Sequence, residues 1–296
     1  MDVDTRLVRY FLIVAAEGNL TRAAERLYLS QPALTKQIRR LETQLGVRLF
    51  TRSRAGMALT EAGRSLADGA PALLAACDEV VRATKSAASR AARVLRVGFL
   101  ASAANEATSD IVAAFTRLRP GWRVEMRQSS WSDPTAGLAE GEVDAALVRL
   151  PFPGQEALRV VVLFSEPRWA ALPSTHPLAA EEEIPFSALW DEPFVAAPQE
   201  TGVWRDYWLA AGERDGRAPR VGAVTDHPDE WLQAIANGYG VALAPASAAR
   251  YYARPGVAFR PLTGVSPSRC GVAWPPTADA NPVLQDFVRC CVEHSC

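Results

Sequence analysis

Five side chains between positions 31 and 40 have types and spacing that could do chemistry together. Gln31, Thr35, Lys36, Arg39 and Arg40 fall on one side of a helical period, opposite Leu34, Ile38 and Leu41. An amide and an ammonium at the start of such a helix suit the edges of base pairs. Gln can pair with adenine and Lys can reach guanine. Arginines further along suit phosphate oxygens. The chemistry is recognition of a polyanion, with no bond made or broken. On periodicity alone, a solvated charged face is an equal alternative.

Such a helix reads a partner only when a second helix holds it still. Leu7, Phe11, Val14 and Ala15 predict a first helix, which Gly18-Asn19 ends. Thr21 opens a short Ala-rich helix with Ala23, Ala24 and Leu27 inward, and Tyr28-Leu29 makes a brief turn. Ser30 then reads as an N-cap, with Pro32 in the first turn, where a missing N–H costs nothing. Gly46 stops this third helix. Two helices joined by a short turn, the second polar outward, form a helix-turn-helix arrangement. From Val47 to Leu59, Arg48, Arg52 and Arg54 sit among Phe50, Met57 and Leu59, with Gly56 as a turn. That pattern predicts a small β-hairpin whose Arg52 and Arg54 neutralise phosphates or probe the minor groove.

Thr60-Glu61 restarts helix to about Ser89. Leu66, Leu73, Val80 and Val81 supply an apolar seam for a partner, and Gly69 and Pro71 predict a kink or break. After Arg93 the texture changes. Val94–Leu100, Trp122–Gln128 and Val143–Arg149 are strand-like, with helical stretches near 105–118 and 133–140 between them. Further strands are expected near 159–163, 168–172, 193–197, 219–225, 241–244, 257–261 and 270–274. Helices are expected near 202–212, 228–237, 245–253 and 281–293. Strands alternating with helices imply parallel α/β structure.

The chain has 296 residues, 49% of them hydrophobic, and a net charge of -1, which excludes intrinsic disorder and fits two or three domains. The near-neutral total hides an asymmetry. Residues 1–90 carry a net +5 and residues 91–296 a net -6, so only the head is expected to meet a polyanion. The apolar run Phe11 to Ala16 is far below the roughly 20 residues a bilayer needs, so no membrane partner is expected. An acidic start, with Arg9 interrupting the apolar stretch, argues against a secretory signal. Five scattered cysteines imply a reducing cytoplasm.

No catalytic constellation emerges. Gly238-x-Gly240 lacks a third glycine and a preceding strand, and neither a nucleophile elbow nor a P-loop is present. His176, His227 and His294 are too scattered for a triad. His176 reads as a surface turn and His227 as a loop cap. Cys290, Cys291, His294 and Cys296 cluster at the C-terminus, but adjacent helical cysteines point about 100° apart. Helix packing is the preferred reading over a metal site. No metal, no cofactor and no enzymatic activity are expected.

At this point a family resemblance is legible. Phe11-Leu-Ile-Val-Ala-Ala-Glu-Gly-Asn-Leu-Thr-Arg-Ala-Ala-Glu-Arg-Leu, then Leu29-Ser-Gln-Pro-Ala-Leu-Thr-Lys-Gln-Ile-Arg-Arg-Leu-Glu, Leu45-Gly-Val-Arg-Leu-Phe-Thr-Arg and Leu59-Thr-Glu-Ala-Gly resemble the DNA-binding domain of LysR-type transcriptional regulators. Leu95-Arg-Val-Gly-Phe, Asp144-Ala-Ala-Leu-Val-Arg, His176-Pro-Leu and Gly238-Tyr-Gly-Val-Ala-Leu-Ala-Pro extend the likeness more weakly. One departure is Ala55, which stands where the family's hairpin carries a second arginine.

The resemblance implies an α/β chain with three parts. Residues 1–60 would form a winged helix-turn-helix and 61–91 a dimerising linker helix. Residues 92–296 would form an effector domain like a type 2 periplasmic binding protein. Lobe one would be 92–163 plus 267–296 and lobe two 165–265, with crossings near Phe164 and Val265. The implied function is a cytoplasmic bacterial transcription regulator, a homodimer extending to a homotetramer, that binds double-stranded DNA and a small-molecule effector. The DNA-contacting set would be Thr21, Ser30, Gln31, Pro32, Thr35, Lys36, Arg39, Arg40, Arg52 and Arg54. The alternative is a solute-binding protein of the same architecture without gene regulation.

In a two-lobed α/β domain, ligands bind at the carboxyl ends of the strands. Ser102 follows the first strand of the domain, and by resemblance Ser102 and Ala103 touch effector carboxylates. Ser130 and Trp131 follow the second strand, and Arg149 ends the third. Thr201, Gly202 and Thr225 should face the same cleft from lobe two. Donors at Ser102 and the charge of Arg149 favour an anion. Ordinary loop-capping is the competing reading for each of these residues.

Overall fold

The computed structural model describes residues 3–53, 56–101, 105 and 107–295. The chain divides into two compact units, Met1–Ala83 and Thr84–Cys296.

The first unit begins with α1 (Thr5–Glu17), capped by the Asp4 side chain, which accepts from the Arg6 N–H, and closed by Gly18 in the left-handed region. Next comes α2 (Leu20–Arg26), whose N-cap is Asn19; Thr21 lies one residue inside the helix and is exposed. Ser30 caps α3 (Gln31–Leu45) through its hydroxyl, with Pro32 in the first turn, and Gly46 ends it with φ 71°. A side-chain cap of this kind contributes about 1 kcal/mol. Leu7, Phe11, Val14, Ala23, Leu34, Ile38 and Leu41 form one buried cluster with Leu49 and Phe50. The strands β1 (Phe50–Ser53) and β2 (Gly56–Leu59) form the expected antiparallel hairpin.

The long helix α4 (Glu61–Ala91) runs unbroken through Gly69 and Pro71. No break follows because Pro71 is exposed, so water can take the carbonyl that its missing N–H leaves unbonded. Ala70 and Leu74 anchor the helix on either side of the proline by packing on Val8. Leu66 belongs to the same packing and not to an outward seam. Thr60 accepts from the Gly63 N–H and donates to the Arg48 carbonyl, fixing where α4 starts. Gly63 is required there, because a Cβ would stand 2.2 Å from the Leu49 carbonyl oxygen.

The second unit holds two lobes. In lobe one, β3 (Val94–Phe99), β4 (Arg123–Gln128) and β5 (Ala145–Leu150) run parallel. Two further strands, β6 (Arg159–Glu166) and β13 (Ser268–Trp274), complete a sheet of order β4-β3-β5-β13-β6. Their apolar faces pack on α5 (Ala107–Leu118) and α9 (Pro282–His294) around Phe115 and Phe287. Cys290 and Cys291 are buried in that core, and burial pushes the Cys290 thiol up.

In lobe two, β7 (Arg168–Pro173), β8 (Ile184–Pro185), β11 (Ala242–Pro245) and β12 (Val257–Thr263) form a four-stranded sheet of order β11-β7-β12-β8. Beside it, β9 (Pro193–Ala196) pairs in parallel with β10 (Arg220–Val224). The helices α6 (Val203–Trp208), α7 (Pro228–Ala236) and α8 (Ala248–Tyr251) connect them. The chain leaves the first sheet at Pro167, slightly beyond the expected Phe164, and returns across 264–267. Arg168 binds the two crossings together. Its Nε donates to the Ser266 carbonyl at 2.6 Å, and its Nη2 reaches Glu213.

One expected helix is absent. Residues 133–140 form consecutive turns. The Asp133 carboxylate accepts from the Thr135 N–H, the Thr135 hydroxyl and the Gly137 N–H, which draws the backbone away from helical bonding. These turns press on the first strand of the lobe. A Cβ at Gly98 would lie 1.8 Å from the Ala136 carbonyl oxygen.

Candidate functional site

The α3 face is set by its buried side. Leu34, Ile38 and Leu41 face the core, which leaves Gln31, Pro32, Lys36, Arg39 and Arg40 exposed and Thr35 half-buried. Thr35 Oγ1 donates to the Gln31 carbonyl at 2.8 Å, and Gln31 Nε2 donates to Thr35 Oγ1 at 3.3 Å. Among the described residues, no carboxylate pairs with Lys36, Arg39 or Arg40. Elsewhere in the head Arg22 and Arg26 pair with Glu17, and Arg48 pairs with Glu42. The α3 charges are thus left for phosphates.

Glu42 positions the hairpin against α3. Its carboxylate is buried and accepts from the Leu49 N–H at 2.8 Å and the Phe50 N–H at 3.4 Å. The Met57 N–H donates to the Gly18 carbonyl, fixing the second strand to the end of α1. Arg52 lies on β1, while Arg54 and Ala55 lie outside the described residues.

The second site is a partly open cavity between the lobes. Leu100, Ala101, Trp131 and Arg149 line it from lobe one. Lobe two contributes Trp204, Trp208, Trp231, Tyr252 and small apolar residues including Ala197 and Ala244. The indoles are in mutual contact. Trp131 lies 6.1 Å from both Trp204 and Trp231, and Trp204 lies 6.0 Å from Trp208. Burial pushes the Tyr252 phenol up to about 12, so it remains protonated at neutral pH.

Of the residues expected here, Trp131 and Arg149 line the cavity, and Ser130, Thr201, Gly202 and Thr225 do not. Thr201 is buried, with its hydroxyl turned back onto the Pro198 carbonyl at 2.7 Å. Thr225 donates its N–H to the Ala196 carbonyl, and its buried hydroxyl meets no partner among the described residues. Ser102 and Ala103 lie outside the described residues.

The charge of Arg149 is already answered. Nη1 lies 2.6 Å from Glu166 Oε1 and 3.3 Å from Ser268 Oγ, and Nη2 lies 3.3 Å from Asn105 Oδ1. It is therefore not the open positive charge that the sequence led us to expect. The lobes also meet beyond the two crossings. The Trp131 N–H donates to the Asp226 carbonyl at 2.9 Å, and the Ser132 N–H donates to Asp226 Oδ1 at 2.6 Å.

The sequence reading missed Trp204, Trp208, Trp231 and Tyr252. Its one local signal was the four-residue spacing of Trp204 and Trp208, which puts both indoles on one helical face. His176 caps a short turn by accepting from the Leu178 N–H. His227 precedes α7 without a side-chain cap bond, unlike the expected loop cap. Among the described residues, no three His, Cys, Asp or Glu side chains gather as metal ligands. Nor is any helix there long and apolar enough to cross a membrane.

A reading head joined to a two-lobed α/β domain with a cavity defines a ligand-responsive DNA-binding regulator. The family model for the bacterial regulatory helix-turn-helix protein, lysR family, matches residues 5–64, and that for the LysR substrate binding domain matches residues 88–296. The chain belongs to the LysR family and is a transcription regulator, not an enzyme or a stand-alone solute carrier. Regulators of this family bind DNA and effectors and form oligomers.

The Hca operon transcriptional activator HcaR of Escherichia coli (strain K12) is 32% identical over 289 residues, covering 97% of this chain and 96% of HcaR. The uncharacterized HTH-type transcriptional regulator YnfL of the same organism is 32% identical over 295 residues, covering 97% of each chain. In fold, the chain is similar to full-length CbnR complexed with its target DNA. The TM-score is 0.55 at 24% identity, covering 99% of this chain and 100% of CbnR.

Proposed function

We propose that this cytoplasmic regulator reads its operator with Gln31, Thr35 and Lys36 in the major groove. Thr21, Ser30, Pro32, Arg39, Arg40, Arg52 and Arg54 hold the DNA backbone beside them. The observation that carries the reading is the exposed face of α3, whose cations have no described acidic partner while its opposite face is fully buried. Two copies pair through α4, where Leu73, Val80 and Val81 are exposed apolar side chains. That pairing sets two reading helices about one DNA turn, roughly 34 Å, or a multiple of it apart.

The effector occupies the cavity between the lobes. It acts by favouring one inter-lobe arrangement over another, which requires different affinity for the two. Trp131, Arg149 and the lobe-two aromatic residues support this placement by lining the cavity; Ser102, Ala103 and Ser130 are its proposed neighbours, while Thr201, Gly202 and Thr225 stand outside the lining. A gel shift on the DNA upstream of its own gene tests the reading, repeated with candidate ligands. Retarded, ligand-sensitive complexes are expected. Equal binding to random DNA, unaffected by any ligand that the second unit binds, would overturn it.

A further inference from the structure

The turn between α2 and α3 carries a side chain that the fold does not use. Tyr28 is 96% exposed, and neither its ring nor its hydroxyl meets a partner among the described residues. An exposed aromatic carries no message by itself, because single apolar side chains are common on protein surfaces. Here the backbone adds one. Tyr28 stands at φ 52°, in the left-handed region that residues with a Cβ rarely adopt.

The hydrogen bonds of the turn explain that backbone. The Tyr28 N–H donates to the Glu25 carbonyl, and the Leu29 N–H donates to the Ala24 carbonyl. The two bonds close α2 as a Schellman motif whose left-handed residue is Tyr28, the place that glycine favours. The same head ends α1 with Gly18 and α3 with Gly46, both left-handed. At the end of α2 it accepts strain and keeps a large ring in water. The fold gains nothing from that choice, which leaves a partner outside the head as its reason.

Position names the partner. Tyr28 comes three residues before Gln31, so their Cα atoms lie within roughly 11 Å of each other. A helix that puts Gln31 on base edges lies in a major groove about 12 Å wide, walled by two rows of phosphates. A tyrosine on this turn is long enough to reach one of those rows, where its O–H can donate to a phosphate oxygen. It is a neutral donor, so it fixes position without adding ionic attraction.

We propose that Tyr28 is a further DNA-contacting residue, whose hydroxyl donates to a backbone phosphate at the edge of the groove that α3 reads. This rests on the placement of α3 in the major groove and adds Tyr28 to the residues that face the DNA.

The test is binding of the full chain to two duplexes of equal length at several salt concentrations. One duplex is the DNA upstream of its own gene and the other is random in sequence. Tyr28→Phe keeps the ring and removes the donor. It should weaken binding to both duplexes threefold to tenfold, because a phosphate contact carries no sequence information. The slope of log affinity against log salt should not change, since no cation is lost. Tyr28→Gly should weaken both at least as much, while the melting temperature of the free protein stays equal or rises.

Wild-type affinity in both variants would overturn the contact and leave the ring to a protein partner. Loss on the upstream duplex alone would make Tyr28 a base contact and overturn the phosphate assignment. A flatter salt slope would trace the loss to a displaced cation and overturn it too. Loss in Tyr28→Gly without loss in Tyr28→Phe would overturn the role of the hydroxyl. A lowered melting temperature in Tyr28→Gly would show that the fold uses the ring, and would overturn the proposal. Gln31→Ala on the same duplexes tests the reading beneath it: equal losses there overturn the placement of α3, whatever Tyr28 does.

Discussion

Arg149, which lines the cavity, is joined to Glu166 at 2.6 Å, and the same carboxylate holds lobe two through the Ser247 N–H at 2.7 Å. Asn105 Nδ2 donates to Glu166 Oε1 at 3.1 Å from the lobe-one side, and Ser247 Oγ lies 3.1 Å from the same oxygen. Glu166 is the last residue of β6, immediately before the crossing at Pro167. One carboxylate therefore gathers donors from both lobes beside a crossing between them.

Acid should loosen this junction. Burial alone raises the Glu166 pKa, but the Arg149 charge and the Ser247, Arg149 and Asn105 hydrogen bonds outweigh it, and the net shift is downward. A carboxylate held below its unfolded value contributes stability above the ordinary carboxylate range, and that contribution is lost as pH falls through the folded value. Glu166→Gln should lower stability at neutral pH by about 3 kcal/mol, because it leaves Arg149 buried without its counter-charge. It should also flatten the acid limb of the melting-temperature profile. An unchanged acid limb in the variant would show that this carboxylate does not govern it.

The head was largely legible in the sequence and the cavity was not. Helix periods, the Ser30 cap and Gly46 are local signals, and each appears where its chemistry places it. The cavity gathers Trp131, Trp204 and Trp231 from three separate loops and helices, so no window of sequence contains it. Arg149 was found from its place at a strand end, but its neutralisation by Glu166 depends on a partner across the sheet that periodicity does not reveal. The helix expected at 133–140 is absent because the Asp133 side chain competes for the backbone, a local contest that a helical pattern does not show.

Sequence discrimination should reside in Gln31. Its side chain is exposed on the first turn of α3 and bonds only to Thr35 among the described residues. Gln31→Ala should cost about 1–3 kcal/mol on the operator and almost nothing on random DNA. Competition binding at fixed salt measures both. Equal losses on the two DNAs would remove Gln31 from base contact.

Assembly should depend on the outward face of α4. Leu73 is 47% exposed and Val80 66%, while Leu74 is buried against the head. Leu73→Asp combined with Val80→Asp should therefore spare the folded head and give a monomer by light scattering at micromolar concentration. Operator affinity should fall with it, since a lone head forfeits the second half-site. A dimer of unchanged mass would place the interface elsewhere.

The closed state of the cavity should depend on Asp226. Its carbonyl and carboxylate receive the Trp131 and Ser132 N–H groups, so the loop that carries Trp131 is fastened to lobe two at its backbone while the indole packs between Trp204 and Trp231. Asp226→Ala removes the Ser132 bond and keeps the backbone one. A single hydrogen bond of this kind contributes about 1 kcal/mol, which is roughly fivefold in the closing equilibrium. The Trp131 and Ser132 amides should exchange with deuterium about five times faster in the variant, with amides of the β5 core unchanged. Trp131→Ala removes the wedge and should speed exchange across α6 and α7 as well, because both helices rest on that indole. If Asp226→Ala left the two amides as protected as before, the fastening would come from the ring packing alone, and the lobes would be held together by apolar contact and not by this pair of hydrogen bonds.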